Sequence, residues 1–328
     1  CDVDSRHLAD AARRFPKAKT YADWRKCLEQ KDIDAVVCST TDHTHAFVNI
    51  WAMNRGMHVY CEKPLANSVQ EARLVRETYL ANKNKLATQM GTQIHAGETY
   101  RRVVELIRDG AIGTVKRADV WVDRPRPVED YHPEVKPVPS HIDWDLWIGP
   151  SPFHPYNPKY LAGDCLQWNR FWDFGTGQIG DMGSHLVDLP YWALGLRFPT
   201  SCEAEGTPIH SDSYPAQLKV TWEHPAGERG APVTVRWYDG GLKPTTGDIG
   251  MPDGYNLPSN ACIVVGEEGT FLAGHGSGNK LFVNGKEVPL DNPRIEDRNH
   301  WHHWVDACFG KAETMTHFGF AARLTESM

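Results

Sequence analysis

The sequence predicts an α/β chain in which a doubly wound parallel sheet is followed by an α+β domain with a large, open and mainly antiparallel sheet. Three observations support this fold class. Short apolar runs alternate with amphipathic helical segments at the start of the chain, which is typical of βαβ units. Beyond residue 113, strand patterns follow one another, and one helical pattern lies between the strand–helix region and the strand-rich region. We therefore predict a first domain over residues 1–113 and a second over residues 114–328.

Capping residues and apolar spacing define the elements of the first domain. Asp4 precedes apolar residues at helical spacing up to Phe15, and Pro16 ends the pattern. Ser68 followed by Glu71 forms a capping box before another helical pattern. Mostly apolar runs predict buried parallel strands at 33–38, 57–61 and 86–90, with further helices at 44–55 and 99–108.

The second domain is predicted to consist mainly of strands. Alternating apolar and polar residues predict strands at 115–123, 200–206, 216–222 and 232–238, with one helix at 183–194. Asn284-Gly285 between two short apolar runs predicts a hairpin with a type I′ turn.

Composition and charge limit the partners of the chain. Of the 328 residues, 41% are hydrophobic and 23% are charged, so the chain can bury a core. The formal net charge is −7, and no basic excess exists to attract a phosphate backbone. No apolar run approaches the roughly 18 residues that a bilayer span needs. We expect neither a nucleic-acid partner nor a membrane span.

The cysteines and the start of the chain bear on its location. The eight cysteines are scattered without a C-x-x-C pair, which favours free thiols and a reducing, cytoplasmic compartment. The chain opens on Cys1-Asp2 without an initiator methionine and runs directly into a helical pattern. We expect a preceding strand, glycine loop and helix of at least roughly 30 residues. Because such a segment can carry an export signal, a periplasmic location stays open.

The first candidate site is Glu62-Lys63-Pro64, at the carboxyl end of the predicted strand 57–61. Open α/β sheets bind ligands at this edge. A lysine there can hydrogen-bond a substrate hydroxyl and stabilise developing negative charge, and Pro64 can take a cis bond. The alternative is a surface turn with an ordinary lysine, and spacing alone favours it.

The second candidate site is the pair Asp181 and His185, which lie four residues apart on one face of a predicted helix. An imidazole can take the proton of an alcohol, and a carboxylate one turn away can hold the substrate or the imidazole. The alternative is a capped helix start with a hydrogen-bonded histidine.

Two further patterns are not assigned to cofactor phosphate or metal. Residues 175–180 spell G-x-G-x-x-G, but no strand pattern precedes them, as a phosphate-binding loop requires. His43 and His45, and likewise His300, His302 and His303, have no carboxylate or cysteine at ligand spacing, so we predict no metal site. Because His43 and His45 follow a strand, contact with a cofactor is the better functional interpretation.

Tryptophans are concentrated around the second candidate site. Indole faces pack against the apolar faces of sugars and cyclitols, although core packing is the alternative for each residue alone. Together they favour a polyol substrate, with Trp172 as the substrate-binding candidate. The residues are Trp121, Trp144, Trp147, Trp168 and Trp172.

These motifs resemble the Gfo/Idh/MocA family of oxidoreductases, which includes glucose–fructose oxidoreductase and inositol 2-dehydrogenase. The resemblance is carried by Cys61-Glu62-Lys63-Pro64-Leu65 together with Asp181-x-x-x-His185. It extends to residues 32–37, 40–45, 110–113 and 172–177, in the same order and spacing. The resemblance implies a Rossmann domain that binds NAD or NADP. It also implies a C-terminal α+β domain whose open sheet often forms a dimer or tetramer.

The resemblance also implies roles for individual residues. Lys63 matches the catalytic lysine, His185 the acid/base, and Asp181 the substrate-orienting acid. Thr40, His45 and Glu62 match cofactor-binding positions. Asp2 matches the ribose-binding acid, and because an acid there repels a 2′-phosphate, we expect NAD rather than NADP.

The sequence therefore predicts an NAD-dependent dehydrogenase that acts on a secondary alcohol of a sugar, sugar derivative or cyclitol. Two other functions stay open. One is an NAD-dependent glycoside hydrolase that acts by transient oxidation and elimination. The other is a non-catalytic sensor that binds a nucleotide. The joint presence of Lys63, Asp181 and His185 argues against the sensor.

Overall fold

The computed structural model describes residues 1–227, 230–275, 278–290, 295 and 298–328. Within these ranges the helices are α1 (Ser5–Arg14), α2 (Trp24–Leu28), α3 (Asp42–Asn54), α4 (Val69–Asn82), α5 (Glu98–Arg108), α6 (Trp144–Ile148), α7 (Cys165–Trp168), α8 (Gly177–Leu186), α9 (Asp188–Leu194), α10 (His300–Cys308) and α11 (Phe318–Ser327). The strands are β1 (Ala35–Cys38), β2 (His58–Cys61), β3 (Thr88–Met90), β4 (Val115–Val122), β5 (Ser201–Gly206), β6 (Leu218–His224), β7 (Val233–Asp239), β8 (Asn260–Gly266), β9 (Thr270–Gly274), β10 (Asn279–Val283) and β11 (Lys286–Val288). None of these helices has the length and apolarity that a bilayer span requires.

The first sheet is parallel and has the order β1-β2-β3. Both predicted helix caps around it are confirmed. The Asp4 carboxylate accepts the Arg6 backbone N–H at 2.8 Å, and the Ser68 hydroxyl accepts that of Glu71 at 3.2 Å. The Glu71 carboxylate in turn accepts the Asn67 backbone N–H at 2.8 Å. Local side chains therefore satisfy backbone donors that the first turn of each helix leaves free.

The second sheet has eight strands in the order β11-β10-β9-β8-β4-β7-β6-β5. Its neighbours pair antiparallel except for β4 and β7, so the prediction of a mainly antiparallel sheet is confirmed. The predicted hairpin joins β10 to β11. Asn284 and Gly285 have φ of 51° and 70°, as a type I′ turn requires of both central residues.

The helix predicted at 183–194 is wrong in its bounds, because two helices, α8 and α9, occupy residues 177–194. Glycine lowers the intrinsic preference for helix, and this obscured the start of α8 in the sequence. Gly180 and Gly183 instead allow close packing, since a Cβ at either position would collide with Thr176 or Met328. The break follows from Pro190, which has no N–H to donate to the carbonyl four residues earlier.

An aromatic cluster packs against His43 at the start of α3. Three of the five tryptophans singled out from the sequence, Trp144, Trp147 and Trp168, are buried in it. The other members of this buried cluster are Ile148, Tyr156, Tyr160, Phe171 and Phe174. These three indoles therefore belong largely to the core, and their burial stabilises the long irregular segment that leads to α8.

The end of the chain returns to the first sheet. We predicted residues 114–328 as the second domain, yet α11 packs against α4 and β3. The Phe318 backbone N–H donates to the Thr88 hydroxyl at 3.0 Å, and the Met90 N–H donates to the Thr316 carbonyl at 2.9 Å. These bonds tie the last helix to the edge of the parallel sheet.

Replacement of Phe318 by alanine tests this return. Phe318 is fully buried, so Phe318→Ala is expected to reduce the free energy of unfolding by about 3–5 kcal/mol through lost burial and a residual cavity. Phe309→Ala is the control, because Phe309 is 73% exposed and its loss should change stability by less than about 0.5 kcal/mol. Urea denaturation measures both values. Equal stability of the two variants would contradict the packing described.

Candidate active site

The carboxyl ends of the parallel strands form one edge of the first sheet. Thr40 follows β1, Glu62 and Lys63 follow β2, and Gly91 follows β3. The Lys63–Pro64 peptide bond is cis. Gly91 leaves room for the Glu62 carboxylate, with which a Cβ at position 91 would collide. Burial raises the pKa of Glu62 above its usual range. The strand ends thus present polar groups in a confined space.

Helix α8 brings a carboxylate to this edge from a segment more than a hundred residues away. The Lys63 ammonium donates to Asp181 Oδ1, and the two side chains are only 19% and 7% exposed. Arg126 Nη2 lies 3.8 Å from the other carboxylate oxygen, Oδ2. Asp181 therefore lies between two cations, and the two candidate sites found in the sequence are joined into one.

His185 lies one turn after Asp181 in α8. Burial, and next the positive charge of Lys63, lowers the pKa of His185 to about 3. Its Nδ1 is buried and has no hydrogen-bond partner in the described part of the chain. The imidazole is thus uncharged at neutral pH and can accept a proton.

Hydrogen bonds to the backbone hold the end of α8 in place. The Tyr100 hydroxyl donates to the His185 carbonyl at 2.8 Å, and the Thr92 hydroxyl donates to the Ser184 carbonyl at 3.2 Å. His95 Nδ1 and Asp188 Oδ2 lie 2.8 Å apart, and both side chains are fully buried. Nothing in the sequence pointed to His95 as the partner of Asp188.

Asp42 is a polar group of this site that the sequence analysis did not select. It begins α3 and accepts a hydrogen bond from the Thr176 hydroxyl at 2.9 Å. Burial raises the pKa of Asp42 to about 6. The sequence signal that could have identified Asp42 is its position shortly after the end of β1.

The strand ends and α8 enclose a cavity of about 270 Å³. Five predicted site residues, Thr40, His45, Glu62, Lys63 and Asp181, line it together. The remaining lining residues are Ser39, Asp42, Pro64, Cys165, Trp168 and Asn169.

Three predicted residues do not line this cavity: His185, Asp2 and Trp172. Asp2 lines a different cavity of about 590 Å³, and its carboxylate accepts the Asp4 backbone N–H at 2.8 Å. Trp172 does not line the 270 Å³ cavity. Its ring packs against Tyr214 at 3.9 Å between centroids, and its indole N–H donates to the His210 carbonyl at 3.0 Å. Trp168 is the tryptophan that borders the cavity.

The fold agrees with the comparisons to known proteins. Residues 1–91 match a family model described as "Oxidoreductase family, NAD-binding Rossmann fold". Residues 121–229 match its companion, "Oxidoreductase family, C-terminal alpha/beta domain". The chain belongs to the Gfo/Idh/MocA family of oxidoreductases, and the predicted Rossmann and α/β domains of that family are confirmed.

Among curated relatives, the chain is 28% identical over 193 residues to levoglucosan dehydrogenase of Pseudarthrobacter phenanthrenivorans, which covers 57% of this chain and 40% of that protein. It is 33% identical over 113 residues to inositol 2-dehydrogenase of Burkholderia multivorans, which covers 34% of this chain and 33% of that protein. The matched segments thus span less than half of each relative.

Two solved structures have the same fold over nearly the whole chain. WlbA dehydrogenase from Bordetella pertussis, in complex with NADH and UDP-GlcNAcA, has a TM-score of 0.66 at 17% identity and covers 99% of this chain and 83% of its own. A levoglucosan dehydrogenase in complex with NADH and levoglucosan has a TM-score of 0.63 at 17% identity and covers 99% and 84%.

The electrostatic link between Lys63 and His185 can be measured directly. Lys63→Met removes a cation that disfavours protonated His185, so the pKa of His185 should rise by about one or more. Lys63→Arg keeps the charge and should leave this pKa near its starting value. NMR titration of the His185 ring protons measures the effect, with exposed His302 as internal reference. An unchanged pKa in Lys63→Met would mean that burial alone sets it.

Proposed function

We propose that the protein is an oxidoreductase that uses NAD to oxidise a secondary alcohol of a sugar, sugar derivative or cyclitol. The observation that carries this proposal is the buried ion pair of Lys63 with Asp181 at the carboxyl edge of the parallel sheet, one helical turn before the uncharged His185. The names of the relatives support the substrate class, since levoglucosan is an anhydrosugar and inositol a cyclitol.

The described residues fit a nicotinamide dinucleotide. Thr40 and Glu62 line the cavity and offer a hydroxyl and a carboxyl group to ribose hydroxyls. Asp181 Oδ2 and His185 Nδ1 are buried without a hydrogen-bond partner among the described residues, and polar ligand groups would satisfy them. When bound, the nicotinamide supplies the hydride acceptor.

Asp2 supports NAD rather than NADP. Its carboxylate side chain is 39% exposed beside the 590 Å³ cavity. A carboxylate there can accept hydrogen bonds from ribose hydroxyls, whereas it repels the 2′-phosphate that distinguishes NADP.

Three side chains have separate roles in the oxidation of the alcohol. The uncharged His185 ring accepts the hydroxyl proton, which the substrate must lose as its carbon becomes a carbonyl. The Lys63 ammonium stabilises the negative charge that develops on the same oxygen. Asp181 holds Lys63 and can accept a hydrogen bond from a second hydroxyl at Oδ2.

The lining of the cavity suits a polyol. Ser39 offers a hydroxyl group, Asp42 a carboxyl group and Asn169 an amide group. Trp168 adds an aromatic ring. Several donors and acceptors around one aromatic surface match a ring that has hydroxyls on its rim and C–H groups on its faces.

Loss of Lys63 or His185 should reduce catalysis strongly. We expect Lys63→Ala and His185→Ala to lower kcat/KM by about 10²–10⁴, the usual contribution of acid–base groups. Lys83→Ala and His302→Ala are matched controls at exposed positions and should stay near the parent. NADH formation with levoglucosan and with myo-inositol is the measurement. Rates within a few-fold of the parent in both site variants would refute the assignment, and glycoside cleavage without net NADH would indicate the hydrolase instead.

We also propose that the eight-stranded sheet forms a homodimer or homotetramer. Its edge strand β5 is exposed along its whole length and offers unpaired backbone groups to a second copy. Light scattering should then give a mass of two or four times the 37.0 kDa of one chain. A proline at Ala204, within β5, should lower this mass if the edge is the contact, and a parent that runs as 37.0 kDa would contradict it.

A further inference from the structure

A cluster of two thiols and one imidazole lies directly behind the cavity. Cys38 ends β1, Cys61 ends β2, and the two residues are paired in register across the strands. The two sulfurs and a ring nitrogen of His45 all lie within 4.8 Å of one another. Cys38 is 2% exposed and Cys61 and His45 are 0% and 1% exposed. The chemistry proposed above uses neither thiol.

Both ring nitrogens of His45 in this cluster face backbone carbonyls. Its Nδ1 lies 2.6 Å from the Pro64 carbonyl and its Nε2 lies 3.0 Å from the Thr40 carbonyl. A carbonyl oxygen can only accept, so a neutral imidazole can satisfy one of these carbonyls and a protonated one can satisfy both. Burial by itself lowers the pKa of His45, but the nearby Cys38 and Asp42 and the two carbonyls outweigh burial and raise it.

The neighbouring His43 is a useful contrast. Its ring nitrogens also face backbone carbonyls, at 3.1 Å from those of Phe174 and Trp147. Burial nevertheless lowers the pKa of His43, and the charge on His45 lowers it further. The neighbouring Cys38 and Asp42, rather than the carbonyls, therefore account for the opposite direction of the His45 pKa.

The same hydrogen bonds argue against a metal ion at the cluster. Cysteine and histidine are common zinc ligands, and the spacing along the chain did not predict that His45, Cys38 and Cys61 lie together. A ligating imidazole must turn a lone pair toward the metal, whereas both His45 nitrogens lie within hydrogen-bond distance of backbone carbonyls.

The two thiols have different environments. Contact with Cys61 lowers the pKa of Cys38, against the opposing effect of burial, and the charge on His45 lowers it further. The Thr40 hydroxyl lies 3.4 Å from Cys38 Sγ. Burial raises the pKa of Cys61, and its thiol donates to the Glu62 carbonyl at 3.2 Å. Cys38 is thus suited to be the thiolate nucleophile and Cys61 the thiol that follows.

We propose that Cys38 and Cys61 form a redox-active pair, in which a hydroperoxide oxidises Cys38 and Cys61 then closes a disulfide with it. The Cys38 thiolate attacks one peroxide oxygen, the O–O bond breaks, and the leaving alkoxide or hydroxide takes a proton to give alcohol or water. The Cys61 sulfur then attacks the Cys38 sulfenic acid and forms the S–S bond. The hydroxyl group leaves with the Cys61 proton as a second water, so two thiols lose two electrons in total.

The cavity is next to the pair, although neither Cys38 nor Cys61 lines it, and a small peroxide would approach from this side. Thr40, His45, Glu62 and Pro64 line the cavity and also contact the cluster. The disulfide would link the strand ends that lead to Thr40 and Lys63. Formation of this bond does not depend on the proposed function, because it needs neither NAD nor a polyol.

The test is oxidation of the whole chain, as it exists, with hydrogen peroxide at pH 7. After capping of free thiols, digestion and mass spectrometry, we expect a peptide pair joined through Cys38 and Cys61, two hydrogens lighter and restored by dithiothreitol. It should form about tenfold faster than oxidation of Cys165 and Cys202, which are exposed but have no partner thiol within the described residues. Cys262 is the buried control and should stay reduced.

Two variants separate the steps. Cys61→Ser should stop at the sulfenic acid, which dimedone captures on Cys38, and Cys38→Ser should leave Cys61 reduced. His45→Gln keeps a hydrogen-bond donor but removes the charge, and it should slow capture of Cys38 by about tenfold. Because the linked peptide is identified in the parent chain, the test remains decisive if a variant fails to fold.

Two results would overturn the proposal. One is oxidation of Cys165 or Cys202 while Cys38 and Cys61 stay reduced in the folded chain. The other is zinc that copurifies in a 1:1 ratio and is lost in Cys38→Ser, which would make the cluster a metal site. Neither result bears on NADH formation, so failure here is distinguishable from failure of the proposed function.

Discussion

The buried ion pair between Lys63 and Asp181 is the constraint on which the candidate site depends. It joins the carboxyl edge of the parallel sheet to α8, and both side chains are largely removed from water. Removing Asp181 alone would leave the Lys63 charge uncompensated in a buried setting, which is strongly unfavourable. Arg126 on the far side of Asp181 adds a second cation, so the carboxylate is compensated from two directions. The same Lys63 charge helps to keep His185 neutral.

Polar contacts between distant segments hold the two sides of the cavity in register. His43 at the start of α3 contacts the carbonyls of Phe174 and Trp147, and the Thr176 hydroxyl bonds to Asp42. Each contact satisfies a buried polar group that would otherwise be costly. Helix α3 is thus fixed against both the aromatic cluster and the start of α8. A ligand at the strand ends meets walls whose positions are set by these contacts.

Local patterns accounted for most of the elements. The caps at Asp4 and Ser68 and the turn at Asn284-Gly285 follow from hydrogen bonding and φ preferences within a few residues, and such signals survive in any context. The start of helix α8 was not predicted, because its glycines lower the helix preference of the sequence. These glycines allow close approach of Thr176 and Met328, and such packing cannot be read from neighbouring residues in the sequence. Asp42 and His95 were missed because their environments are formed by residues far away in the chain.

The sequence by itself determined the fold class, the two motifs and the chemistry that their residue types allow, because periodicity and residue identity are local properties. Only the tertiary structure decided which of those residues meet. It brought Lys63 into contact with Asp181 and left Asp2 and Trp172 outside the lining of the 270 Å³ cavity. It also placed Cys38 beside Cys61 and His45. The physical reason is that charge states and contacts depend on burial and on neighbours from distant segments, and folding alone supplies both.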